Sequence, residues 1–179
     1  MTEPRSPQRV VSICWIITDA SRNAAEEYYA IVKLDGYTIP QGSVRIHGIS
    51  MENALSHDVP PGDVFLRLGD VLKKYKVGSL VAHNADFDRN VLFSEMHRCS
   101  HPLLGELQKI ETICTKESAT NFCAIPAWGG RYKWPPLEEL HSKLFGQSPS
   151  GQHNARHDAQ ATLKCFFKLL NLRVIRSLF

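Results

Sequence analysis

The stretch Val81-Ala-His-Asn-Ala-Asp-Phe-Asp88 joins a short apolar run, Ser79 to Ala82, to a segment from Phe87 to about His97 with helical spacing. A buried strand that gives way to a helix at a polar junction is the building unit of an open α/β sheet. Sites in such sheets lie outside the carboxyl ends of the strands. An Asp in the first turn of the following helix is held rigidly and faces that crevice. Asp88 therefore reads in two ways, as a metal ligand or as an N-cap that only satisfies orphan N–H groups.

Outward from that junction, Val10 to Thr18 and Glu26 to Leu34 read as strands separated by the turn-forming Asp19 to Asn23, so the chain opens with a hairpin. A loop rich in Gly, Pro and Ser follows, from Asp35 to about Gly62. Val64, Leu66, Leu68, Val71, Leu72 and Tyr75 then recur at helical spacing, with Lys73, Lys74 and Lys76 at the end where the helix dipole favours cations. Beyond the junction come a strand at Ile110 to Thr115, a loop at Ala124 to Pro136, and a helix from Leu137 to Phe145 stopped by Gly146. A last helix runs from about Ala155 to Leu170 with Ala159, Leu163, Phe166, Phe167 and Leu170 as its buried stripe. The pattern predicts a mixed α/β sheet flanked by helices, in one domain over residues 1–179 with a single core.

Composition narrows the class without deciding it. The chain has 179 residues, 43% hydrophobic and 22% charged, and its longest early apolar run, Val10 to Ile17, is too short to cross a bilayer, so the expectation is a soluble chain without membrane partners. Arg5 and Arg9 ahead of that run give it a faint look of a signal peptide, but its β-branched and aromatic residues followed by Thr18-Asp19 read better as a strand meeting a turn. The five cysteines are odd in number and form no CxxC pair, which fits a reducing cytoplasmic or other intracellular setting. A net charge of +3 is compatible with nucleic acid and selects nothing by itself.

A second junction, His153-Asn-Ala-Arg-His-Asp158-Ala159, repeats the arrangement of the first. On one continuous helix His153 and Asp158 would lie about 140° apart, so they converge only if His153 sits on the loop. That places a firmly held carboxylate beside a mobile imidazole able to take a proton from water. A capping cluster with an exposed His is the other reading.

Together and in this order the two junctions resemble the DEDDh exonucleases, the DnaQ-like group of the ribonuclease-H-like superfamily. His83 to Asp88 follows that group's HNAxFD pattern and His153 to Ala159 its HxAxxDA pattern. Ser43-Val-Arg-Ile-His-Gly-Ile-Ser50 is similar to a family segment that contacts the terminal nucleotide. The resemblance runs from about Val10 to Leu170. It implies a ribonuclease-H-like fold and removal of nucleotides from the 3' end of single-stranded DNA or RNA, with two Mg2+ or Mn2+ ions roughly 4 Å apart. It further implies that Asp88 and Asp158 are metal ligands and His153 the general base. Ile46, His47, Gly48 and Ile49 would hold the last sugar and base, and Asn84 and Phe87 would brace the site.

The family places a strand ending in D-x-E-T-[TS], the middle of its sheet, ahead of the strand matched by Val10 to Thr18. Here Met1 to Arg9 holds no D-x-E, and Pro4 and Pro7 bar a regular central strand. Asp19 is the only nearby acid, and it reads as a turn residue. Two carboxylates offset half the charge of two divalent ions, so the expectation is a chain that begins upstream of Met1. The alternative is a catalytically impaired, nucleic-acid-binding or regulatory pseudo-exonuclease. The pairs His153/His157 and His97/His101 have a spacing seen in zinc sites, but no third ligand is evident. Trp128, Tyr132 and Trp134 suit base stacking, with packing the preferred role for Trp134.

Overall fold

The computed structural model describes residues 8–34, 36–57, 59–151 and 153–176. Strands β1 (Ser12–Thr18) and β2 (Ala24–Ile31) pair antiparallel, from Ser12 opposite Ile31 to Thr18 opposite Ala24. Their connection is the expected turn: the Asp19 carboxylate accepts the Asn23 backbone N–H at 2.9 Å and its side-chain amide at 3.2 Å. Strands β3 (Ser79–Ala82) and β4 (Glu111–Cys114) pair parallel.

Helices cover both sides of this strand layer. They are α1 (Gln41–His47), α2 (Met51–Leu55), α3 (Pro61–Lys74), α4 (Ala85–Arg98), α5 (Leu103–Leu107), α6 (Thr115–Ser118), α7 (Thr120–Cys123), α8 (Leu137–Phe145) and α9 (Ala155–Asn171). Successive strand side chains point to opposite faces. Accordingly, Leu80 joins Ile13, Trp15 and Tyr28 in a core closed by α3, α4 and α5, while Val81 joins Ile113 in a second core closed by α8 and α9. The mixed α/β class is borne out.

The strands form two separate two-stranded ladders among the described residues, as expected of a mixed sheet without its central strand, and α9 packs against both β1 and β3. Two other expectations are corrected. The apolar packing divides between the two faces of the strand layer, with a third small cluster of Leu34, Ile39, Ile49 and Ala54 beside α1 and α2. Within the predicted loop, α1, α2 and the first residues of α3 are helical, because residues that suit loops also suit helix ends. Gly48 ends α1 in the left-handed region at φ 75°, Ser50 caps α2 by accepting the Asn53 N–H at 3.1 Å, and Pro61 opens α3. Residues 1–7, with the expectation that two prolines bar a strand there, lie outside the described residues.

The buried face of α9 comprises Ala161, Thr162, Cys165, Phe166 and Leu169. Of the predicted stripe only Phe166 is fully buried, since Ala159, Leu163, Phe167 and Leu170 lie on flanks half-covered by neighbours. A polar Thr162 within the contact masked its true centre.

The segment leading into β1 is fixed by an ion pair. Arg9 clasps Glu95 of α4 with Nε at 3.0 and 2.8 Å from the two carboxylate oxygens and a terminal nitrogen at 2.8 Å. Glu95 is 1% exposed, and Arg98 adds a contact at 3.3 Å. Bidentate geometry of this kind is what makes a buried carboxylate tolerable.

Candidate active site

β3 runs out at Ala82, and the chain turns into α4 through Asn84, whose backbone is left-handed at φ 75° and ψ 48°. The Asn84 side chain does not cap the helix; its Oδ1 accepts a hydrogen bond from Nζ of Lys116. Asp88 is the fourth residue of α4, so the capping reading of Asp88 does not hold. His83 staples the junction, with Nε2 donating to the Pro135 carbonyl at 3.0 Å and Nδ1 3.0 Å from Thr115 Oγ1. Burial holds the His83 imidazole below its ordinary pKa, which suits a neutral ring bonded in this way.

Asp158 occupies the same place on α9, again the fourth residue. Asn154 is the N-cap and accepts the Arg156 N–H at 3.0 Å. Asp158 reaches back to the preceding loop, accepting the His153 backbone N–H at 3.2 Å. His153 is on that loop, as convergence with Asp158 requires, is exposed, and takes a left-handed backbone at φ 65°. A non-glycine residue held there is strained. Gly151 enforces the bend: at φ 68° it lets His157 approach so closely that a Cβ would meet the ring at 2.1 Å, and His157 Nδ1 lies 3.1 Å from the Gly151 carbonyl.

The two carboxylates feel each other. Burial first, and then the charge of Asp158, push the Asp88 carboxyl up to about 6, against a hydrogen bond from its own backbone N–H. Asp88 keeps more than a third of its surface in solvent, so water screens part of that push. Asp158 is raised by burial, opposed by the His153 N–H and by the charges of His153 and His157. Two carboxylates close enough for the charge of Asp158 to raise Asp88 suit a divalent cation, whose charge relieves both. The donor set fits one such ion. Among the described residues no group of three or more His, Cys, Asp or Glu side chains is gathered for a metal, so the zinc readings at His97/His101 and His153/His157 gain nothing.

A model of the RNase_T exonuclease family matches residues 1–166. The chain belongs to that exonuclease family. Among curated proteins, no relative matches it. Its fold is shared by E. coli Exonuclease I in complex with a dT13 oligonucleotide, with a TM-score of 0.70 at 20% identity over 91% of this chain and 37% of that one. A zinc-bound form of the E. coli Exonuclease I–single-stranded DNA complex gives 0.69 at 23%, over 88% and 35%. The nuclease domain of 3'hExo, a DEDDh family member bound to rAMP, gives 0.67 at 14%, over 94% and 84%. The chain thus spans little more than a third of the Exonuclease I chains it matches.

Within this exonuclease-family domain the remaining candidate residues are placed as follows. Phe87 is half-exposed at 50% beside Asp88, and Ile46 is 60% exposed at the end of α1. His47 Nδ1 accepts the Ile49 N–H at 3.1 Å, which leaves Nε2 as a buried donor without a partner among the described atoms. Ile49 is buried in the cluster beside α1 and α2, where its side chain holds the segment in place. His101 accepts the Leu103 N–H at 3.2 Å and sets its ring edge-on to Phe65, a structural role. Sequence reasoning missed Lys116 and Thr115. Their signal was present, since both directly follow a strand end, the position that singled out His83 to Asp88. No helix among the described residues is long and apolar enough to cross a membrane.

Proposed function

We propose that this chain is a metal-dependent 3'-5' exonuclease that removes nucleotides from the 3' end of single-stranded DNA or RNA. The observation that carries the reading is the electrostatically linked Asp88 and Asp158, with His153 on the loop bonded to Asp158, in a chain of the exonuclease family. The activity of the Exonuclease I and 3'hExo relatives supports it. Asp88 and Asp158 would hold Mg2+ or Mn2+. Such an ion supplies an activated water at neutral pH and offsets charge on the scissile phosphate. The exposed His153 imidazole takes the proton from the attacking water, and the His153 N–H bond to Asp158 keeps that loop against the carboxylate. Asn84, held by Lys116, fixes the start of α4 and so the aim of Asp88. Ile46 and Phe87 present exposed apolar surface for the terminal nucleoside, and the unpaired His47 Nε2 is a donor for it.

That no third His, Cys, Asp or Glu joins Asp88 and Asp158 among the described residues favours a second reading, a domain that binds nucleic acid with impaired cleavage. Digestion of a 3'-labelled single strand with Mg2+ or Mn2+ separates the two. Cleavage from the 3' end, lowered at least 100-fold by Asp158→Ala and by His153→Ala, is the expected result. Binding without any cleavage supports the second reading. Equal cleavage by parent and variants refutes the site.

A further inference from the structure

We propose that the hairpin spanning residues 124–136 is a stacking platform for the single strand whose 3' end is held at the Asp88–Asp158 pair. The proposal rests on the exonuclease reading and goes beyond it in naming the surface that holds the nucleic acid away from the reacting phosphate. The hairpin is braced by its own backbone bonds. Ala127 N–H donates to the Arg131 carbonyl at 2.8 Å, Lys133 N–H to the Ile125 carbonyl at 2.9 Å, and Pro126 pairs with Tyr132. At its tip Gly129 and Gly130 take φ of 75° and 73°, a turn that side-chain-bearing residues resist.

On this frame three large rings face water. Trp128 is 99% exposed, Trp134 60% and Tyr132 50%. A mobile loop would fold its aromatics against the nearest apolar surface; a hairpin locked by its own backbone bonds holds them out. Tyr132 and Trp134 are two apart on an extended arm, which sends both rings to one side of it. Trp134, expected to pack inward, instead carries the Lys116 ammonium 4.2 Å from its ring centroid. Arg131 is exposed on the same hairpin and has no described ion pair, while Lys133 is engaged by Glu139 at 3.2 Å. Glu117, Glu138 and Glu139 flank the patch, so its cationic character is local to Lys116 and Arg131. Aromatic faces interleaved with cations are the surface that accepts stacked bases and their phosphates in any sequence.

The platform is joined to the candidate site by two side chains. Lys116 touches both Trp134 and Asn84, and His83 ties the foot of the hairpin, Pro135, to the β3–α4 junction that aims Asp88. These contacts place the rings beside the junction that aims Asp88, where a strand held at its 3' end can reach them.

The test is equilibrium binding of 5'-fluorescein-labelled oligothymidylates in EDTA, where no cleavage intervenes, comparing a 20-mer with a dinucleotide. Trp128→Ala and the Tyr132→Ala/Trp134→Ala pair are expected to shrink the affinity advantage of the 20-mer by tenfold or more. In the parent, the 20-mer should quench indole fluorescence, since Trp128 and Trp134 are two of the three tryptophans. Trp128→Phe, which keeps an aromatic face, restores most of the advantage. An unchanged advantage in Trp128→Ala, or a parent that binds both lengths alike, overturns the platform and leaves these rings to a protein partner. A parent that shows the length advantage yet cleaves no 3' label with Mg2+ or Mn2+ sinks the exonuclease reading while the platform stands.

Discussion

A carboxyl group must be ionised to hold a cation, and at position 88 burial and the neighbouring charge of Asp158 push the pKa up to about 6. In the unfolded chain an Asp titrates near 3.9. The folded state therefore keeps its proton to higher pH than the unfolded state. Stability falls as pH rises from about 4 to about 6, and the whole cost is in place above that window. Asp88→Asn removes the cost. In metal-free buffer at pH 7 the variant is expected to melt at a higher temperature than the parent, with the difference vanishing at pH 4, as read by thermal circular dichroism. A parent more stable than the variant at pH 7 would mean that Asp88 is well solvated or paired and gains nothing from a cation. The same proton competes with the ion, so Mn2+ binding should weaken between pH 7 and pH 5.

At the scale of elements, α4 carries Asp88 at its start and Glu95 near its end, and Glu95 anchors the segment that enters β1. Glu95→Gln keeps the shape but leaves the Arg9 guanidinium, only 18% exposed, facing a neutral group. Removing one member of such a pair costs about 3 kcal/mol, expected as a lower urea midpoint with an unchanged slope. A loss near zero would show that solvent reaches the pair freely. The elements differ in how legible they were. The start of α4 could be read because an apolar strand and a polar junction are adjacent in sequence, and likewise the loop position of His153 before Asp158. Helices α1 and α2 could not, because Gly48, Ser50 and Pro61 serve equally as loop formers and helix ends. Lys116 was hidden for another reason. It meets Asn84 only through the parallel pairing of β3 with β4, a contact between segments about thirty residues apart.

For the whole molecule, cohesion is a matter of helices. A two-stranded ladder is marginal by itself, and the β1–β2 and β3–β4 ladders are not hydrogen-bonded to each other among the described residues. Helix α9 packs on both and carries Asp158 at its first turn, while on the other face Leu80 of β3 shares a core with Ile13, Trp15 and Tyr28 under α3, α4 and α5. Leu169 is fully buried on its inner face, in the core that holds Ile113 of β4 and Leu140 of α8. Leu169→Ala deletes that contact and leaves a cavity, at a cost of about 3 kcal/mol. If α9 is the tie between the two ladders, parent and variant both unfold in one transition, with calorimetric and van't Hoff enthalpies equal and the variant's shifted down. Two transitions in the parent itself would show that neither α9 nor the shared core of Leu80, Ile13 and Trp15 couples the halves. That outcome would also separate Asp158 from Asp88 mechanically, since the first rides on α9 and the second on α4.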